Sequence, residues 1–279
     1  MSTLPIEQKR TAANRLSSKS RRRYITAVTD NGYRLLILAV IIALWQIAVN
    51  LGWVNAFLMG SPAGIWKEAV RLTASGQLFT DTVTTLYATV VGFLFGSLLG
   101  SLAGLLMWYS KAVARILDPF IVALNGLPKI ALAPMIIIWF GSGIFSKIAL
   151  AFIATFIVAL LSAYQGTHQI DSNLINLMRS LGASRAQIFR KVVIPATLPW
   201  IISAFRLNIG FALIADVGGE FISSDHGLGR MIFVAGNLFN LNAVWVGVLT
   251  LMIVAVCLYI IVSKLEARLL PWASQHNDK

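Results

Sequence analysis

The stretch Asn173–Pro199 reads NLINLMRSLGASRAQIFRKVVIPATLP, and it interrupts a chain that is otherwise close to pure hydrocarbon. It carries four basic residues, Arg179, Arg185, Arg190 and Lys191, breaks at Gly182, and ends on Pro195 and Pro199. Leu174, Leu177, Met178 and Leu181 are spaced as one helical face. Gly182 follows where a helix is commonly closed by a residue in the left-handed conformation. Ser184 and Gln187 then have the spacing of a capping box, in which each side chain satisfies the other residue's backbone N–H. Ile188, Phe189 and Val192 make the apolar face of a second helix, and the two prolines mark its end and the start of the next apolar run. The prediction is helix, tight turn, helix, with a mixed apolar and basic surface. Such an element either docks a partner or lies as an amphipathic linker on anionic headgroups. The turn in its middle favours docking.

Working outward, the 279 residues are 57% hydrophobic and 12% charged, with a mean hydropathy of +0.77. A soluble domain carries roughly 25% charged residues, so the solvent for most of this surface is lipid. The net charge of +12 does not indicate nucleic acid, because the basic residues fall in the polar segments between apolar runs. Cys257 is the single cysteine and lies in an apolar run, so no disulfide framework forms within the chain. No metal-ligand spacing is present, and His168, His226 and His276 read as loop residues.

About 20 apolar residues cross a hydrocarbon core. Six stretches qualify: Leu35–Val54, Val83–Trp108, Pro119–Phe140, Ile148–Tyr164, Trp200–Phe221 and Val244–Val262. The fold class is therefore all-α, a polytopic membrane protein with six transmembrane helices. Residues 1–33 form a basic arm, too long for the n-region of a signal peptide; 34–273 form the membrane domain, with the polar loop at about 166–199; and 274–279 form a tail. With the N-terminus inside, the inner segments hold seventeen Lys and Arg and the outer ones four. The positive-inside rule then places both termini and the Asn173–Pro199 loop in the cytoplasm. On the other side, Ser61–Ala74 has the helical spacing of an amphipathic element. It serves either an extracytoplasmic partner or the headgroup layer.

Gly92, Gly96, Gly100 and Gly104 recur every fourth residue in the second run, each advancing about 40° around a helix. Such a groove lets another backbone approach closely, which in lipid drives helix association. Whether that partner is in the same chain or in a second subunit stays open at this level. The third run is interrupted by Pro119, Pro128 and Pro134 and holds Asn125 and Lys129 at membrane depth. Broken backbone is tolerated where it lines a cavity, so Asn125, Pro128 and Lys129 are candidates for a path, unless Lys129 reaches an interface instead. In the fifth run Arg206, Asp216 and Glu220 fall within roughly 80° of one another. They fit a wetted stripe, or, for the two acids, solvation at the outer interface.

No G-x-x-x-x-G-K-[ST], H-E-x-x-H, G-x-S-x-G or C-x-x-C occurs; Gly141–Lys147, GSGIFSK, reads as a turn between spans. The chain carries no recognisable catalytic apparatus, and energy for uphill movement has to come from ions or from a partner. Asp216 and Glu220 leave an ion-coupled secondary transporter open, and the basic loop leaves open a scaffold that recruits a cytoplasmic protein.

The loop resembles that of binding-protein-dependent ABC importer permeases, whose pattern is E-A-A, three residues, G, nine residues, then I-x-L-P. Here Gly182 is followed after nine residues by Val192-Val193-Ile194-Pro195, while Asn176-Leu177-Met178 replaces E-A-A. Leu127–Gly143, LPKIALAPMIIIWFGSG, and Gly219–Ile232, GEFISSDHGLGRMI, resemble the branch with nitrate, taurine and alkanesulfonate permeases. The resemblance covers most of 35–273. It implies a six-helix subunit working as a pair, a homodimer in the simpler case, with two ATP-binding subunits and an extracytoplasmic substrate-binding protein. It implies no cofactor in this chain, ATP and Mg being held by the partner ATPase. It also implies that Leu181, Gly182, Ala183 and Ser184 form the tip docked into that ATPase, flanked by Arg185 and Arg190 and bounded by Asn176, Gln187 and Pro195. The substrate expected is a small anionic or polar solute of the nitrate, sulfonate or taurine kind; a small organic or aromatic nutrient is the alternative.

Overall fold

A computed structural model describes residues 32–269. The arm expected over 1–33, apart from Gly32 and Tyr33, and the tail expected over 274–279 lie outside the described residues. The chain divides into two compact units at Trp66 and Lys67. In the first, helix α1, Gly32–Asn50, is followed by the single turn α2, Ala56–Met59, capped by Asn55. Gln46 accepts the Ala63 N–H at 3.0 Å, fixing α1 to the start of α3, Pro62–Ala74.

The second unit contains the remaining helices. These are α4, Gln77–Leu106; α5, Lys111–Gly126; α6, Ala133–Phe140; α7, Ile144–His168; α8, Ser172–Ser180; α9, Arg185–Ile188; α10, Ile194–Ile222; α11, Leu228–Asn237; and α12, Leu241–Leu269. Every element among the described residues is helical. Four of the helical runs here and α1 are each long and apolar enough to cross a membrane, and α5 with α6 supplies a sixth crossing if counted as one broken span.

Helices α4, α7 and α10 pack against one another at the centre. The glycine stripe makes this possible, and its partner is in the same chain. A Cβ at Gly92 would meet Ala151 and the Ile148 carbonyl, at Gly96 Thr155 and Phe152, at Gly100 the Phe156 carbonyl, and at Gly104 the Leu160 carbonyl and Ala163. All these groups belong to α7. A second stripe runs along another face of α4: Asp81, Thr85, Thr89, Ser97 and Ser101, four residues apart except where Phe93 intervenes, are all buried. Asn208 of α10 donates to Ser97 Oγ at 3.0 Å and to the Thr155 carbonyl at 3.2 Å, so one amide joins three helices.

The proline rules separate three cases in the third expected span. It is bent by 91° between Gly126 and Lys129, at Leu127-Pro128. Pro119 sits inside α5 without ending it, and Pro134 occupies the first turn of α6, where a missing N–H costs nothing. The stretch is thus two helical segments rather than one straight helix.

The expected stop at Pro195 and Pro199 is corrected. Helix continues from Arg185 to Ile222. A π-helical segment over Phe189–Val193, in which the Ile194 N–H reaches back to the Phe189 carbonyl, widens the turn just where the Pro195 ring would otherwise strike the carbonyl four residues earlier. Pro199 is carried within the helix.

Candidate functional site

Asp171 caps α8 by accepting the Asn173 N–H at 2.8 Å. At the other end Gly182 has φ +77°. Its N–H reaches the Arg179 carbonyl at 2.9 Å, and the Ala183 N–H reaches that of Met178 at 3.0 Å. This pair of bonds is a Schellman motif, and the left-handed glycine is what closes it. Ser184 and Gln187 form the capping box, with the Ser184 N–H on Gln187 Oε1 at 2.7 Å and the Gln187 N–H on Ser184 Oγ at 3.3 Å.

Under the turn lies a small core of Ile188, Val192 and Val193, packed by Trp108, Ile170, Ile175, Met178, Ala183 and Phe189. The expected apolar face of the first helix therefore splits. Met178 turns inward, with Ile175 beside it, while Leu174, Leu177 and Leu181 remain exposed, Leu181 at 74%. An apolar side chain that exposed on a polar loop is free to meet a partner.

The structure holds Arg185 within its own chain. Its guanidinium donates to the Tyr109 carbonyl and lies over the rings of Trp108 and Tyr109, at 5.5 and 5.7 Å. Phe189 packs on Tyr109 with centroids 4.6 Å apart. The loop is thereby pinned to the turn between α4 and α5. The sequence contained the signal, the pair Trp108-Tyr109 at the end of an apolar run, but the reading used it only as a span boundary. Arg190 and Pro195 are exposed, as is Asn176.

The residues expected along a path fall into two groups. Asn125 and Pro128 are exposed at the 91° bend and Lys129 is half-buried there, its ammonium donating to the Asn125 carbonyl at 2.8 Å. Arg206, Asp216 and Glu220 do not form one wetted stripe, which corrects that expectation. Arg206 turns to α12, pairing with Glu266 at 2.5 Å and lying near Tyr259. Asp216 and Glu220 are sealed inside, at 0% and 1% exposure. Thr89 donates to Asp216 at 2.7 Å, Thr85 to Glu220 Oε1 at 2.8 Å, and the Gly229 N–H to Glu220 Oε2 at 2.7 Å.

Thr85 in turn accepts the Leu228 N–H at 2.9 Å, and Asp81 accepts that of Gly227 at 2.9 Å. The segment GEFISSDHGLG is thus a knot tying the start of α11 to α4. A Cβ at Gly227, where φ is +129°, would run into the Glu220 carboxylate, and one at Gly229 would lie 2.8 Å from its Oε2. Lys147, assigned to an outer loop from sequence, is also buried. It donates to the Ser142 carbonyl. The missed signal was the spacing-four run of Asp81, Thr85 and Thr89, each ordinary alone. Among the described residues no group of three or more His, Cys, Asp or Glu is placed to hold a metal ion.

Both oxygens of Glu220 face donors, so Glu220→Gln turns an amide N–H₂ toward one of them. Leaving a buried donor unsatisfied costs about 1–3 kcal/mol. The variant should melt several degrees lower in detergent. Combining it with Thr85→Val, which also leaves the Leu228 N–H without its acceptor, should cost less than the sum of the two single losses, since the two share one bond. Additive losses would show that the knot is not a unit.

Residues 92–271 match the family of binding-protein-dependent transport system inner membrane components. The chain belongs to that family. It is the permease of an ABC importer, a multi-pass inner-membrane protein whose family works with an ATPase and a binding protein. It is 34% identical over 243 residues to SsuC of Bacillus subtilis, named for aliphatic sulfonate transport, covering 87% of this chain and 88% of that one. It is 33% identical to the riboflavin transport permease RibX of Chloroflexus aurantiacus, over 84% of this chain and 88% of that one. To the taurine transport permease TauC of Escherichia coli it is 31% identical, over 84% and 87%. Its fold is similar to that of an inward-facing MetNI methionine ABC transporter chain, with a TM-score of 0.60 at 20% identity, covering 67% of this chain and 94% of that one. The permease's glycine turn and capping box are the geometry behind the loop pattern noted in its sequence.

Proposed function

We propose that two identical copies of this permease form one translocation path, each docking an ATP-binding subunit through the α8–α9 loop, with a substrate-binding protein delivering solute from the far side. Both termini and the loop face the cytoplasm in this reading, in line with the Lys and Arg asymmetry. ATP and Mg belong to the partner ATPase, and this chain contributes no cofactor. The observation that carries the reading is the capped loop tip presenting Leu174, Leu177 and Leu181 to solvent. The path is assigned to the bend at Asn125, Pro128 and Lys129, whereas Asp216 and Glu220 hold α11 in position.

The substrate proposed is a small sulfonate or taurine-like solute, supported by the names of two relatives. Arg206 adds no support for an anion, because Glu266 already takes its charge. The riboflavin relative keeps an aromatic nutrient as the second reading. Uptake of taurine, an alkanesulfonate and riboflavin into proteoliposomes holding the whole assembly separates the two.

Docking has its own test. Leu177→Asp with Leu181→Asp replaces two exposed side chains and should leave the permease folded. The ATPase should then fail to co-purify, since docking would have to desolvate two unpaired carboxylates where apolar side chains stood. Full retention of the ATPase would sink the docking reading.

A further inference from the structure

A cleft of about 870 Å³ opens between α5, the end of α7 and α8. Its charge is one-sided. Lys111 and Arg115 enter it from the first two turns of α5, Arg179 from α8, and Arg185 from the start of α9. Asp118 is the one acid in its lining. Asn176, at the position where the loop pattern has an acid, also lines it and adds no charge. Among the described residues Lys111, Arg115 and Arg179 take part in no ion pair.

Four cations around one cavity, with one carboxylate among them, repel each other and make the cleft a sink for a negatively charged group. Guanidinium forks match the oxygens of a phosphate bidentately, and an ammonium adds a point charge. Basic pockets between transmembrane helices on the cytoplasmic side are where anionic headgroups lodge.

We infer that this cleft is a phosphate-binding site, taking either the headgroup phosphate of an anionic lipid or free phosphate. Its occupant bridges Lys111 and Arg115 on α5 to Arg179 and Arg185 on the loop, and so clips α8 to the membrane domain. Leu174 and Leu177 lie outside the cleft, so the bound anion and the docked ATPase use different faces of one short helix.

Lys111 is exposed and serves as the reporter. The full-length permease, in the assembly in which it purifies, is placed in phosphatidylcholine nanodiscs and in nanodiscs containing phosphatidylglycerol. The rate of Lys111 acylation by an amine-reactive ester is read by peptide mass spectrometry. Lys191, exposed on the same loop but outside the cleft, is the reference.

Severalfold slowing at Lys111 by inorganic phosphate in neutral discs assigns a free oxyanion. Severalfold slowing only with phosphatidylglycerol assigns the headgroup. The double variant Arg115→Gln, Arg179→Gln should abolish the protection, and Asn176→Glu, which supplies an acid, should weaken it. No slowing in either disc, equal slowing at Lys191, or protection that persists in the double variant overturns the site. Preferential retention of phosphatidylglycerol in native mass spectra, lost in the same double variant, reads the lipid arm without the label.

Discussion

Gly100→Ala in α4 is expected to destabilise the packed centre of the permease, while Gly210→Ala in α10 leaves it intact or slightly more stable. Alanine is favoured over glycine in a helix by about 0.8–1 kcal/mol, so both changes start with the same small gain. At Gly210 nothing lies within 4 Å of the added methyl, and the gain stands. At Gly100 the methyl meets the carbonyl of Phe156, with that residue's C and Cα at 3.0 Å. The obstacle is backbone, which cannot rotate away. Overpacking typically costs about 1–3 kcal/mol, and here the only relief is to move α7 off α4. In lipid the helices are held by close packing and not by exclusion of water, so separation removes the contact at Gly92, Gly96 and Gly104 as well. Melting in detergent should fall by several degrees for Gly100→Ala, since about 1 kcal/mol moves a chain of this size by about 2–4 °C. Equal melting of the two variants would show that the stripe is not packed as described.

The same helix shows how far the sequence could be read. A stripe of four glycines at spacing four announces a close contact because only glycine leaves that groove. It names no partner, since the residues that fill it, Ile148 to Ala163 on α7, are ordinary apolar residues whose role exists only after folding. The polar stripe of Asp81, Thr85 and Thr89 was harder to see. Threonine in a membrane helix can satisfy itself on its own backbone, so its hydroxyl says little until Glu220 and Asp216 arrive from more than 120 residues away. The two carboxylates were legible as special, because charge at membrane depth is expensive. Their burial was not, because a helical wheel gives a direction and not what lies along it. Arg206 illustrates the same limit, since its partner Glu266 sits near the end of α12.

The prolines were read by one rule and obey three. Pro128 breaks its helix and Pro134 starts one. Pro119 and Pro199 are carried within theirs, as is Pro195 after a widened turn that no local residue pattern announces. The loop was more legible, because its capping box and glycine turn are made by residues a few positions apart. Its anchor through Arg185 to Trp108 and Tyr109 was not, for it joins residues 76 apart.

Gly182→Val is expected to leave the permease folded and inserted but to break the link between ATP hydrolysis and uptake. No atom lies within 4 Å of a Cβ at Gly182, so a larger side chain meets no steric obstacle and the spans are untouched. The cost is in the backbone. Gly182 has φ +77°, a region that a β-branched residue occupies only under strain, at about 1–3 kcal/mol. The two bonds that close α8, to the Arg179 and Met178 carbonyls, are the ones such strain loosens. In the proposed docking, an α8 that swings on its turn still presents Leu177 and Leu181 to the ATPase, so hydrolysis continues. It no longer passes motion to α10, and more ATP is spent per solute moved. Gly182→Asn separates this cause from simple loss of a glycine, because asparagine tolerates the left-handed region and should restore most of the coupling. Uptake and hydrolysis measured together in proteoliposomes decide it: equal uptake per ATP in the Val and Asn variants would take the left-handed turn out of the mechanism.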